Sequence, residues 1–178
     1  INHAENRIVL LDASLIELFI PVLPLLECVE HILVIGDGEL VTSIDTLDYR
    51  EQLAANEPLL DWPELDETSA AAVCYTSGTT GNPKGVVYSH RTTFVHSLAS
   101  RAADTFGISE HDCILLLPAM YHANAWGLPY SGWFSGSDFT LPGPHLQADA
   151  IKRMVAIDRP TITATVPNGV NAQLDFAQ

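Results

Sequence analysis

The sequence predicts an α/β fold of layered β-α-β units carrying a mostly parallel sheet. Three observations lead there. Short apolar runs recur along the chain, among them "RIVLLD", "AAAVCYT", "CILLLP" and "TITATVP". Stretches with apolar residues at helical spacing lie between several of them. Hydrophobic residues make up 47% of the 178, ample for a core and far from a disordered composition.

Arg7 to Asp12 reads as a short buried strand, followed by a helical stretch from Ser14 to Val29 broken or kinked at Pro21 and Pro24. "HILVIGDGE" reads as strand then turn, and Thr46 to Ala55 as a short helix. This first third is a β-α-β pattern, which suggests parallel strands covered by helices. Residues 56–69 hold five carboxylates and two prolines with no period, and read as a surface connection.

Ala70 to Thr76 then reads as a buried strand, and "GVVYS" as a second one. Ser89 is placed to N-cap a helix in which Phe94, Val95, Leu98, Ala99, Ala102 and Phe106 recur before Gly107. "CILLLP" and "FTLPG" read as strands. "QADAIKRMVAIDRP" reads as an amphipathic helix with Ile151, Met154 and Val155 inward, and "TITATVP" as a further strand. No initiator Met opens the chain, and "NAQLDFAQ" reads as the start of an uncapped helix. The expectation is a chain cut at both ends.

The net charge is -14. So acidic a balance argues against nucleic acid and against an anionic membrane surface, which need clustered Lys and Arg. It leaves room for an anionic small molecule held by a local cluster. Cys28, Cys74 and Cys113 are sparse, odd in number and without metal-ligand spacing, which reads as reduced core thiols in a cytoplasmic protein. No segment is long and apolar enough to span a bilayer, and the N-terminus lacks the pattern of a signal peptide.

Against that charge, Thr76 to Gly85 ("TSGTTGNPKG") holds four hydroxyls, three glycines and one lysine, and no carboxylate. A strand ending in such a loop outlines a phosphate cradle. Glycines let backbone N–H groups converge on an anion, and the hydroxyls of Thr76, Ser77, Thr79 and Thr80 add adjustable donors. Lys84 adds a compact positive charge. The loop departs from the common P-loop, because Pro83 stands where that motif needs Gly and Gly85 where it needs Ser or Thr.

"YTSGTTGNPKGVVYSH" resembles the phosphate-binding signature of the adenylate-forming superfamily of acyl-CoA synthetases, luciferases and adenylation domains, matching without a gap from Tyr75 to Val86. "LLLPAMYHANAWGLPYS" (Leu115 to Ser131) resembles the segment lining the acyl and adenylate site in the medium- and long-chain fatty-acid–CoA ligase branch. The "WPELDE" connection and the "HAENRIVLLD" opening are similar to that branch too. The resemblance implies part of the N-terminal, ATP- and acyl-binding domain of such a ligase, without its C-terminal domain. It implies ATP, Mg²⁺ and CoA as cosubstrates and cofactor, and a fatty acid as partner. A carboxylate attacks the α-phosphorus of ATP, and CoA then takes the acyl group.

By the same resemblance Ser77, Gly78, Thr79, Thr80, Gly81 and Lys84 hold the β- and γ-phosphates, and Thr76 serves the metal. His122 sits where carboxylate meets α-phosphate, Ala123 lies beside the nucleotide, and Trp126 closes the acyl tunnel. Asn168 and Gly169 depart from the family pattern. Taken without the resemblance, His122 reads as a hydrogen-bonded structural residue and Trp126 as core. Arg91 reads as a phosphate-attracting group or a surface ion pair. His90, His96, His111 and His145 receive no role. Three alternatives stay open: a non-catalytic nucleotide- or acyl-binding fragment, an acyl-AMP ligase, and a CoA ligase for a short or sulfur-containing acid. Apolar surface left exposed by the missing parts favours association, so a homodimer is also an expectation.

Overall fold

A computed structural model describes residues 1–77 and 81–165. Residues 166–178, with the expected final helix and Asn168 and Gly169, lie outside the described residues, as do Gly78, Thr79 and Thr80. The chain forms two compact units that divide after Glu64.

In the first unit, β1 (Ile8–Asp12), β2 (His31–Ile35) and β3 (Asp45–Asp48) pair in parallel in that order. Their core is Leu11, Ile32, Val34 and Leu40, with Phe19 and Leu23 packed on it. The expected helix over 14–29 is instead three short pieces. Asp12 caps a 3-10 turn at Ala13–Leu15, accepting from the Ser14 N–H at 2.9 Å. One turn of α-helix follows (α1, Ile16–Phe19), and Ile20–Leu25 returns to 3-10 geometry. Pro21 and Pro24 lack the N–H that an α-helix needs there.

The expected helix from Thr46 is also corrected, since its first residues form β3. The helix proper (α2, Tyr49–Ala55) starts where the Asp48 carboxylate accepts from the Glu51 N–H at 2.9 Å. Thr46 and Leu47 carry a strand because they pair with Ile32 and Leu33 of β2, a partner that no local period reports.

The second unit opens with β4 (Ala70–Thr76) and β5 (Lys84–Ser89), which pair antiparallel. Of β4 only Cys74 is buried, so the expected buried strand is in fact largely exposed. The α3 helix (His90–Ser100) begins in a capping box, with Thr92 N–H donating to Ser89 Oγ at 3.1 Å and Ser89 N–H to Thr92 Oγ1 at 3.0 Å. It stops at Ser100, short of the expected Gly107. Thr105 Oγ1 donates to the carbonyls of Ala99 (2.6 Å) and Ala102 (2.8 Å), offering those groups a non-helical partner.

The face that α3 buries is also unexpected. Ser97 and Ser100 are inside, while Phe94, Val95 and Leu98 are more than half exposed. The serine hydroxyls donate back to Thr93 and His96 carbonyls at 2.8 Å, which satisfies them without a partner helix. Small residues there let α3 approach α4 (Leu128–Ser135), where Phe94 and Phe134 meet edge to face at 5.2 Å. The periodicity gave no sign of α4, because Pro129 and Gly132 interrupt it. Pro129 falls in the first turn, where no intrahelical N–H is needed.

A second parallel sheet sets β6 (Cys113–Leu115) between β7 (Asp138–Thr140) and β8 (Ile162–Thr163). Ile108, Ile114 and Leu128 are buried against Phe139 and Ile162. Gly132 of α4 packs so close to this sheet that a Cβ there would overlap the Phe139 ring and lie 2.9 Å from Ile114 Cδ1. The α5 helix (Ala148–Asp158) buries Ala150 and Ile151, but Val155 faces out at 44% exposure, contrary to expectation. The α/β class and the mostly parallel pairing are as the sequence predicts. Among the described residues, however, the strands form two three-stranded parallel sheets and one antiparallel pair rather than a single sheet.

Asp112 ties the second parallel sheet together at one end. Its carboxylate accepts from the Thr161 hydroxyl at 2.7 Å and from the Ser109 N–H and hydroxyl at 2.8 Å. Its carbonyl accepts from the Asp138 N–H at 2.9 Å. The Thr161 and Ser109 donors hold the carboxyl below its ordinary value of 3.8. A depressed folded value means that this stabilisation is full above about 3.8 and is lost as pH falls through the folded value. Asp112→Ala is expected to cost about 1–3 kcal/mol at pH 7, and clearly less at pH 3. Urea denaturation at the two pH values checks it, and an equal loss at both would refute the carboxylate's role.

Candidate active site

Alternation along a strand puts every second side chain on one face. In the hairpin, Thr76 pairs with Lys84 and Cys74 with Val86, so Cys74, Thr76, Lys84 and Val86 share a face. Tyr75, Val73, Gly85 and Val87 take the other. A Cβ on Gly85 would meet Val73 and Tyr75, as that alternation requires. The pairing sets Thr76 and Lys84 directly across from each other where the loop leaves the sheet. Both residues are exposed, as is Ser77, and no ion pair engages Lys84 among the described residues. Gly81 has a φ of 107° in the returning limb of the loop.

The second motif adopts an unusual backbone. Ala123, Asn124, Ala125 and Trp126 have φ between 48° and 57°, and Gly127 follows at 71°. This is one turn of left-handed helix. For L-residues it costs about 1–2 kcal/mol each, less for Asn, whose side chain tolerates the region. Strain of this kind persists only where surroundings over-determine it, and it gathers at functional sites.

Those surroundings are visible. Ala125 N–H donates to the His122 carbonyl and Gly127 N–H to the Asn124 carbonyl, each at 3.0 Å. The Ser131 N–H and hydroxyl both donate to the Gly127 carbonyl at 3.0 Å, joining the turn to α4. Ala125 is completely buried and Leu128 nearly so. Cys74 Sγ donates to Asn124 Oδ1 at 2.9 Å. The hairpin face that bears Thr76 and Lys84 is therefore the face that reaches the left-handed turn.

Two cavities flank that turn. One of about 420 Å³ is walled by Tyr88, Thr92, Thr93, His96, Phe106 and Tyr130 together with Ala123, Asn124, Trp126 and Gly127. Its threonine hydroxyls are engaged, since Thr92 and Thr93 Oγ1 each donate to the Ser89 carbonyl at 3.0 Å. The other, of about 290 Å³, is lined by His122 and Tyr121 with Leu117, Pro118, Ala119 and Thr165. Trp126 borders both. His122 is exposed, and its N–H donates to the Ala119 carbonyl at 3.0 Å.

The structure thus brings His122 and Trp126 to one cavity, Ala123 and Trp126 to the other, and Thr76 and Lys84 to the base of the loop. Gly78, Thr79 and Thr80 are outside the described residues. Arg91 is an ion-pair residue: its guanidinium meets the Glu67 carboxylate, and its N–H donates to the Glu67 carbonyl at 2.7 Å. The pair lowers the Glu67 carboxyl below its ordinary value. Sequence reasoning missed His96, Tyr88, Phe106 and Tyr130 as cavity walls. For His96 a signal existed, because Thr92, Thr93 and His96 share one helical face at spacings of four and three.

Chemically, the described residues offer the exposed Lys84 cation and the exposed Thr76 and Ser77 hydroxyls on a hairpin bonded to the turn beside an aromatic cavity. Among the described residues no group of three or more His, Cys, Asp or Glu is placed to hold a metal ion. Thr76 offers one hydroxyl oxygen, a ligand type suited to a hard cation that keeps water and phosphate as its other ligands.

Comparison with known proteins bears on what the anion is. The chain is 44% identical over 170 residues to the 3-methylmercaptopropionyl-CoA ligase of Ruegeria pomeroyi, covering 94% of this chain and 32% of the relative. It is 37% identical over 170 residues to the medium-chain-fatty-acid–CoA ligase of Ectopseudomonas oleovorans, covering 94% of this chain and 31% of the relative. The chain thus spans about a third of the length of the curated relatives it matches. Among solved structures, a long-chain-fatty-acid-CoA ligase from Archaeoglobus fulgidus superposes with a TM-score of 0.81 at 24% identity, over 97% of this chain and 32% of that one. The family profile for AMP-binding enzymes matches residues 1–178. With that match along its length, and relatives that are CoA ligases, this chain belongs to the AMP-binding enzyme family.

Proposed function

We propose that the whole protein is an acid–thiol ligase that activates a fatty acid with ATP and passes it to CoA. The observation that carries this reading is the position of Trp126, between the His122 cavity and the aromatic one, on a turn bonded to the hairpin that ends in Thr76 and Lys84. In this reading residues 1–178 supply part of the N-terminal ATP- and acid-binding domain.

The two steps follow from charge. A carboxylate oxygen attacks the α-phosphorus, the bond to the β-phosphate bridging oxygen breaks, and pyrophosphate leaves with that electron pair. Both reactants are anions, so the catalytic need is positioning and charge stabilisation. Ser77, Gly78, Thr79, Thr80 and Gly81 offer donors to the β- and γ-phosphates, and Lys84 offsets their charge. His122 and Ala123 lie where acid and nucleotide meet. Mg²⁺, held by the phosphates and the Thr76 hydroxyl, would supply Lewis-acid neutralisation of the leaving group. A CoA thiolate then attacks the acyl carbon, and AMP departs.

A second reading is favoured by one finding, the 44% identity to a 3-methylmercaptopropionyl-CoA ligase. In it the acid is short and sulfur-containing. Both readings share the adenylation step and differ only in what fills the aromatic cavity, where Tyr88, Phe106 and Tyr130 suit either a methylene chain or a polarizable thioether.

Pyrophosphate exchange on the whole protein, across acids of rising chain length and 3-methylmercaptopropionate, separates the two. Lys84→Ala is expected to lower the exchange kcat/KM for ATP about 100-fold, and unchanged exchange would remove the phosphate role. Trp126→Ala is expected to shift the preferred chain length, changing the ratio of kcat/KM between neighbouring acids about tenfold. An unaltered ratio would end the gate role of Trp126.

A further inference from the structure

The left-handed turn raises a question that the phosphate and acid residues do not answer. Three residues in it, Ala123, Ala125 and Trp126, gain nothing from positive φ, yet the turn places His122 and Trp126 at their cavities. Its backbone bonds run within the turn and into α4. Among the described residues none of these backbone bonds joins the turn to the hairpin. Cys74 does so through its side chain. It is 5% exposed, it lies fifty residues before Asn124, and its thiol donates to the Asn124 side chain. It also shares a strand face with Thr76 and Lys84.

We propose that Asn124 is a positioning residue, and that its bond to Cys74 sets the turn carrying His122 and Trp126 against the hairpin face carrying Thr76 and Lys84. The inference rests on the acid-activating reading above. Asn suits the position twice over. Its backbone accepts a φ of 52°, and its amide oxygen accepts the buried thiol proton. Asn124 walls the aromatic cavity but reaches neither the carboxylate nor the phosphates in this assignment. It acts through His122 and Trp126, two positions away on either side, so its loss bears on the acid more than on the β- and γ-phosphates.

The test uses the whole protein in pyrophosphate exchange, with acid and ATP varied separately. Cys74→Val fills the same volume without a donor, Cys74→Ser keeps one, and Asn124→Gly keeps the backbone freedom without the acceptor. Cys74→Val and Asn124→Gly are each expected to raise KM for the acid about fivefold, with KM for ATP moving less than about twofold. The double variant should be no worse than the worse single, since both remove one bond. Cys74→Ser should restore the acid KM. Additive losses, equal shifts in both KM values, or an unchanged acid KM would overturn the assignment. Should Cys74→Val fail to fold, Cys74→Ala takes its place, since it also removes the donor.

A protein that exchanged pyrophosphate with no acid would remove the ligase reading rather than this one. The near-ultraviolet circular dichroism of Trp126, identified by difference from Trp126→Phe, then decides. Loss of that band in both bond-removing variants supports the positioning role, and an unchanged band refutes it.

Discussion

The antiparallel pairing of Thr76 with Lys84 is the constraint on which the rest of the site depends. A strand repeats its faces every two residues, so a slip of one position would turn Lys84 to the side of Tyr75 and Val87. Cys74 would leave the left-handed turn in the same movement. One register therefore fixes both the cation at the loop and the contact to the left-handed turn. The pairing is also what makes an exposed, two-stranded element serviceable. A hairpin alone is marginal in water, and this one gains its bearing from α3, which starts directly after it at a capped Ser89.

Charge explains why the loop stands out in so acidic a chain. The carboxylates are concentrated in surface connections such as residues 56–69 and in pairs that satisfy them, as Glu30 does with Arg7 and Glu67 with Arg91. None lies between Thr76 and Gly85. On the proposed reading, a nucleotide approaching the protein meets overall repulsion and a carboxylate-free stretch around the loop, which favours selectivity for a ligand that fits the loop over loose anion binding.

Local signals made much of this legible in the sequence. Ser89 as a cap, β1, β2 and β4 as apolar runs, α5 as a periodic helix and the order of the two motifs all stand where the residues alone place them. The resemblance to adenylate-forming enzymes is borne out by the family match and by relatives that are CoA ligases. What could not be read was non-local. Asp45–Asp48 is a strand because β2 lies beside it, and the division into three sheets depends on pairings between distant residues. The buried serines of α3 invert the apolar pattern because the helix packs on another helix through small residues. The left-handed turn left only two faint marks, Asn124 and Gly127, residue types at ease with positive φ. The contact between Cys74 and Asn124 left none, since fifty positions separate its ends.

Gly132 shows how far from the loop the turn can be disturbed. The missing side chain there lets α4 lie flush on Phe139 and Ile114, and the N-terminal end of that helix is where the left-handed turn is anchored through Ser131. A methyl group at this position would act as a wedge. It would lift the helix, and the tryptophan at its head would swing with it. On the proposed function, drift in the interior of this unit would register as a change in which acids are accepted.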